Sequence, residues 1–191
     1  AKIDHLQFQN GYHQYEIFKY LKFRDVPWKK AAINTLSLAD DLGHFAPYPG
    51  GGGCYDYDAI FMLTSRYTGD IGQTDVLLKS LNTFIVEQNL DGGFCESKLL
   101  RPGGRPQPIA LFHHISRQPA HLRLKSTKIG LNLFRCKYRV VPTHWTRIHR
   151  AWDQSNVWDT FFRLSALSRI CEHLNLPQKE FFLVNDFPGI G

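Results

Sequence analysis

The sequence predicts a mostly helical, all-α protein. Three observations carry this: apolar residues recur at three and four spacing along most of the chain, glycine-rich stretches cut that pattern into segments of helix length, and two of those cuts repeat at an interval of about forty residues. At 191 residues, 43% of them apolar and 14% aromatic, the chain can build one sizeable core. One helical domain over 1–191 is expected, or a piece of a longer chain, with an irregular basic segment over 98–150.

From Tyr12 to Phe23, the residues Tyr15, Ile17, Phe18 and Leu21 make a broad apolar stripe and predict a first helix. Asp25 before Pro27 reads as a cap and a first-turn proline, and Trp28, Ala31, Ala32, Thr35, Leu38, Ala39 and Leu42 predict a second helix up to Gly43. The stretch "GHFAPYPGGGG" cannot stay helical, and Ile60, Phe61, Leu63 and Tyr67 resume the pattern as a third helix. Val76, Leu77, Leu81, Phe84, Ile85 and Gln88 predict a fourth, ended by "NLDGG". Ser155 can cap a final amphipathic helix that runs through Val157, Phe161, Leu164 and Ile170 toward Asn175 and Pro177. Between them, "RPGGRPQP" is a loop, and Ile129, Leu131 and Leu133 suit a strand or extended arm as well as a helix.

Charge is placed unevenly. Lys98 to Arg150 holds twelve Lys and Arg and no Asp or Glu, so this segment carries +12 and the remainder carries −6. Clustered cations attract an anionic partner such as a phosphate, a nucleic acid or an acidic glycan; equally, the segment can lie over the acidic remainder of its own chain. No run of eighteen apolar residues exists, so no membrane span is expected, and the first thirty residues lack a secretory pattern. The four cysteines, Cys54, Cys95, Cys136 and Cys171, form no CxxC pair and read as reduced thiols in a cytoplasmic protein.

Two glycine loops run into a cysteine and then a carboxylate, "GGGCYD" and "DGGFCE". The stretch "KSLNTFIVEQNLDGGFCE" resembles the glutamine-and-glycine repeat of the terpenoid cyclase and protein prenyltransferase families, with Gln88, Gly92, Gly93 and Phe94 at matching positions over roughly residues 10 to 95. The resemblance implies a partial or degenerate α/α toroid of stacked helical hairpins, with inner helices around a central cavity. "DYDA", Asp56 to Ala59, is similar to the DxDD motif of class II terpene cyclases, with Asp58 where that family's proton donor falls and Ala59 in place of the last Asp. Six helix pairs at a forty-residue period do not fit in 191 residues. The local Asp, Cys and His pattern of the zinc-dependent prenyltransferases has no clear counterpart.

Two jobs are open to Asp56 and Asp58. A carboxylate pair at a cavity rim can take or give a proton, one pKa being pushed up by burial and by its neighbour. In the other reading one Asp caps the helix and the second complements its dipole. The enzyme reading takes Asp58 as the acid or base, Asp56 as its partner and Glu96 as an auxiliary carboxylate, acting on an isoprenoid or glycan-type substrate with an anionic group. "HWTRIHRAWDQSNVWD" supplies substrate-binding candidates: His144, Arg147, Arg150, Trp152, Trp158 and Asp159 gather aromatic and charged groups before a helix start. Against this, Trp152 and Trp158 can pack in the core while Asp159 pairs with Arg163 one turn on.

His113 and His114 can serve as a metal ligand or base, though adjacent side chains diverge and a surface pair is the alternative. Cys54, Cys95, Asp58 and a His complete a zinc site only if the loops converge, and no metal is assigned. No cofactor is legible. Basic residues interleaved with Phe134, Tyr138 and Trp145 keep nucleic acid open without any reading motif, and a helical-repeat scaffold for a protein partner is a third class.

Overall fold

A computed structural model describes residues 3–48, 50–66, 71–98, 112, 115–134, 138–142 and 147–176. Along them run α1 (His5–Tyr20), α2 (Trp28–Leu36), α3 (Gly53–Ser65), α4 (Ile71–Val86), α5 (Arg123–Phe134), β1 (Tyr138–Pro142), β2 (Arg147–Ala151) and α6 (Val157–His173). The architecture is mostly helical, as expected. The described strands are β1 and β2, an antiparallel pair in which Tyr138 faces Ala151 and Pro142 faces Arg147.

Local chemistry sets the helix ends. Asp4 opens α1: its Oδ1 accepts from Gln7 N at 2.9 Å while the Gln7 side chain accepts from Asp4 N at 3.0 Å, a reciprocal box that starts the helix well before Tyr12. α2 stops at Leu36 rather than running to Gly43. Asp40 is the reason: its Oδ1 accepts from Leu42 N at 3.0 Å and from His44 N at 2.9 Å, folding 40–44 into a turn that competes with the helix. α3 begins at Gly53, so the "DYDA" motif lies inside its first two turns instead of ahead of it. Asn156, not Ser155, caps α6, its Oδ1 accepting from Asp159 N at 2.9 Å. The ambiguous stretch over 127–141 resolves as both alternatives in succession, a helix to Phe134 and a strand from Tyr138.

α3 is the centre of the packing. Every residue from Asp56 to Leu63 is buried, and the helix meets α1, α2 and α6. The core cluster it joins holds Phe8 and Tyr12 of α1, Trp28 and Ala32 of α2, Leu77 and Phe84 of α4, and Phe162, Ala166 and Ile170 of α6. Each large side chain so buried contributes about 1.5–3 kcal/mol relative to exposure. A helix covered all round must place its polar residues against partners from other elements, and that condition creates a buried polar network on each of its flanks. No helix among the described residues is long and apolar enough to cross a membrane.

Candidate functional site: two buried carboxylate networks flanking α3

Asp56 and Asp58 lie two positions apart, about 200° around the helix, so they leave α3 on opposite flanks. Asp56 faces α6 and the glycine loop. It is fully buried, accepts from Phe45 N at 2.7 Å, and forms an ion pair with Arg163 at 2.7 Å. Arg163, 1% exposed, also pairs with Glu87 at 3.4 Å, donates to the Gly50 carbonyl at 3.1 Å, and lies 4.1 Å from the Phe84 ring centroid. His44 completes the network, 3.0 Å from Glu87 and 3.6 Å from Asp40. Three carboxylates and two basic side chains are therefore enclosed together, drawn from the 40–44 turn, α3, the end of α4 and α6.

Burial opposes a charge on His44, but Glu87 and Asp40 outweigh it and carry its pKa up to about 10. Burial likewise opposes ionisation of Glu87 and Asp40, yet His44 holds both below the usual carboxylate range. For Asp56 burial prevails and its pKa is raised, against the pull of Arg163 and His44. The arrangement is a clamp in which each buried charge has a counter-charge, the condition for keeping such groups in an interior.

The glycines that open the motif fit this clamp. Gly51 has φ +69, and a Cβ there would collide with the Asp56 carboxylate and stand 2.9 Å from Arg163. A Cβ on Gly52 would meet the Tyr48 hydroxyl and lie 3.0 Å from Glu96 Oε1. The loop backbone thus lies directly on the charged groups, which only residues without side chains permit.

Asp58 faces α1. It is 2% exposed, and Gln9 Nε2 donates to its Oδ2 at 2.8 Å. Burial, then the charge of nearby Glu16 and, less, that of Asp56 push its pKa up to about 8, with Gln9 opposing. Tyr12 Oη donates to Glu16 Oε1 at 2.5 Å, and His13 Nδ1 stands 3.1 Å from Glu16 Oε2. Asp58 is consequently protonated at neutral pH, inside the α1–α3 interface.

The other candidates divide. Glu96 accepts a hydrogen bond from the Tyr48 hydroxyl and is 2% exposed. Trp152 is buried with Tyr48, ring centroids 6.4 Å apart, and its carbonyl accepts from Ser97 N at 3.0 Å. Asp159 is buried at the start of α6, where Asn156 Nδ2 donates to it at 2.5 Å; a Cβ on Gly53 would lie 3.2 Å from it. Asp56, Glu96, Trp152 and Asp159 therefore gather around the glycine loop, whereas Asp58 does not join them. Trp158 is 45% exposed and packs edge-on against Phe162 at 4.8 Å, away from that group. Arg163 pairs with Asp56 and Glu87 on other elements, where Asp159 was expected, and Asp159 adds to the negative field around it. Arg147 and Arg150 stand on β2, opposite Pro142 and Arg139. His113, His114, His144 and Cys136 lie outside the described residues.

The second glycine loop meets the first at the start of α6. Gln88 Nε2 donates to the Gly92 carbonyl at 2.7 Å, Asn89 Nδ2 donates to Ser155 Oγ at 2.8 Å, and a Cβ on Gly93 would stand 2.8 Å from Ser155 Cβ. The two loops share one end of the helical array.

Cys54 packs against the main core, and Cys95 is buried with its thiol pushed up to about 11 by burial. Among the described residues no group of three or more His, Cys, Asp or Glu is placed to hold a metal ion. Sequence reasoning missed Asp40, His44 and Glu87. The signal that could have found two of them is the Asp40-to-His44 interval beside Gly43, a turn pattern overridden by the apolar spacing of Leu38, Ala39 and Leu42. Comparison of the chain with protein-family models, with curated proteins and with solved structures gives no match.

Proposed function

We propose that this chain is a non-catalytic helical-hairpin module, a degenerate relative of the toroid repeats it resembles, that binds an anionic partner on its cationic surface. One observation carries the reading: Asp56 and Asp58 are enclosed on opposite flanks of α3, each engaged by the protein's own side chains. Proton transfer to a substrate needs the acid within hydrogen-bond reach of that substrate. A protonated Asp58 between α1 and α3 and an Asp56 paired with Arg163 act as frame. The excess of cations, +6 over the whole chain, is then the property available to a partner.

The test is to replace Asp56 and Asp58 separately by Asn and measure both stability and affinity for pyrophosphate. The expected result is altered stability with affinity unchanged within about twofold. A folded variant that loses affinity at either position contradicts the reading.

A second reading has an observation in its favour. Asp56, Glu96, Trp152, Asp159 and Arg163 do converge beneath the glycine loop, as a carboxylate-lined enzyme site acting on an isoprenoid or glycan-type substrate would require. Their burial means that such a site must open first. Turnover of an isoprenoid diphosphate that is abolished by Glu96→Gln, in a variant of unchanged stability, would establish it.

A further inference from the structure

We infer that the groove between the α1–α2 connection and the end of α3 is a binding site for a small phosphate or sulfate ester carrying an apolar or aromatic group; this rests on the anion-binding reading of the chain. The groove is open to solvent, spans about 800 Å³ and is lined by Arg24, Lys29, Lys30 and Arg66, with Trp28 and Ile33 among its apolar walls. That volume is in the range of small-molecule sites and below what a folded partner or a long polymer occupies.

Charge supports the assignment. Four cations and one carboxylate, Asp25, line the groove, and among the described residues none of the four cations forms an ion pair. Three other cations do form ion pairs, Arg117 with Asp41, Lys125 with Asp4 and Arg163 with Asp56 and Glu87. Converging cations without partners raise the free energy of the empty protein by mutual repulsion, and a di-anion placed among them relieves it. The groove's floor reinforces the sign. α2 begins here with Pro27 at its cap, so it has no side-chain cap, and no acidic residue stands in its first turn. The positive end of the helix is left for an external anion.

The apolar half of the ligand follows from the wall. Ile33 is 48% exposed, four residues after Lys29 and three after Lys30, so it shares their side of α2. A bare anion leaves this surface wet, whereas an ester with an aromatic or alkyl group covers part of it, at about 25 cal/mol per Å².

The experiment measures binding of inorganic phosphate, phenyl phosphate and a twelve-residue oligothymidylate to the full chain and three variants: Lys29→Glu with Lys30→Glu, Ile33→Ser, and Arg147→Glu with Arg150→Glu. Lys29, Lys30 and Ile33 are exposed, and melting curves verify that each variant is folded. The expected result is that phenyl phosphate binds several-fold more tightly than phosphate. The Lys29/Lys30 variant should lose at least tenfold in affinity for both, Ile33→Ser should lose the preference for phenyl phosphate alone, and the Arg147/Arg150 variant should bind like wild type. If the Arg147/Arg150 variant loses binding while the Lys29/Lys30 variant keeps it, the groove is wrong and the anion-binding module stands. Tight binding of the oligonucleotide without phenyl phosphate binding overturns the small-ester assignment in favour of nucleic acid. If wild type binds none of the three, both readings fail.

Discussion

Replacing Asp58 by Asn should stabilise the protein at neutral pH and flatten its pH dependence. Asp58 has a folded pKa of about 8, whereas the unfolded chain ionises it near 3.8. Between those values the folded state keeps a proton that the unfolded state has released. Stability therefore falls as pH rises through this window, by about 1.4 kcal/mol per pH unit for one group, and levels off above pH 8. From pH 5 to pH 7 the wild type should lose about 3 kcal/mol that the Asn variant keeps. For a chain of this length that corresponds to about 6–12 °C in melting temperature. Asn preserves the shape and retains a carbonyl oxygen for Gln9 Nε2. The assay is urea unfolding of both proteins at half-unit pH steps, compared as a difference so that titrations common to both cancel. Parallel stability curves for the two proteins between pH 5 and pH 7 would show that Asp58 is not a buried neutral acid.

Three further expectations concern the clamp on the other flank. Gly51→Ala forces a side chain onto the Asp56 carboxylate at φ +69 and should cost about 3 kcal/mol in urea unfolding, while Gly92→Ala, at φ +84 with open space around it, should cost about 1 kcal/mol. Arg163→Met leaves Asp56 buried without its paired cation and should cost about 3–5 kcal/mol, read as a large drop in the denaturation midpoint. His44 has its folded pKa raised to about 10, so its contribution is fully present below about pH 6.5 and is lost as pH rises through 10; His44→Gln should flatten the stability curve between pH 7 and pH 10.

Much of the fold was legible because it rests on local patterns. The stripes of α2, α4 and α6 and the two glycine breaks placed four of the helices near their observed positions. Errors came where a side chain competed with the backbone. Asp4 starts α1 early through its reciprocal box with Gln7, and Asp40 ends α2 early by holding Leu42 and His44. Periodicity is blind to both, since it counts apolar residues and these are polar.

The candidate site was legible only in part. Glu96, Trp152, Asp159 and Asp56 lie around one loop, each adjoining a glycine turn or a helix start. Asp58 was placed with Asp56 by proximity in sequence, although helical geometry separates residues at i and i+2. The partners that matter most, Arg163 for Asp56 and Gln9 for Asp58, lie 107 and 49 residues away. Nothing in a single sequence pairs residues at such separations.

The most direct test is a pair of double-mutant cycles on unfolding free energy, Asp56→Asn with Arg163→Met and Asp58→Asn with Arg163→Met. Separate networks on the two flanks of α3 predict an interaction energy above about 1 kcal/mol for the first pair and within about 0.5 kcal/mol of zero for the second. Equal coupling of Arg163 to both aspartates would mean that they belong to one shared site, and the division of α3 into two independent flanks would be wrong.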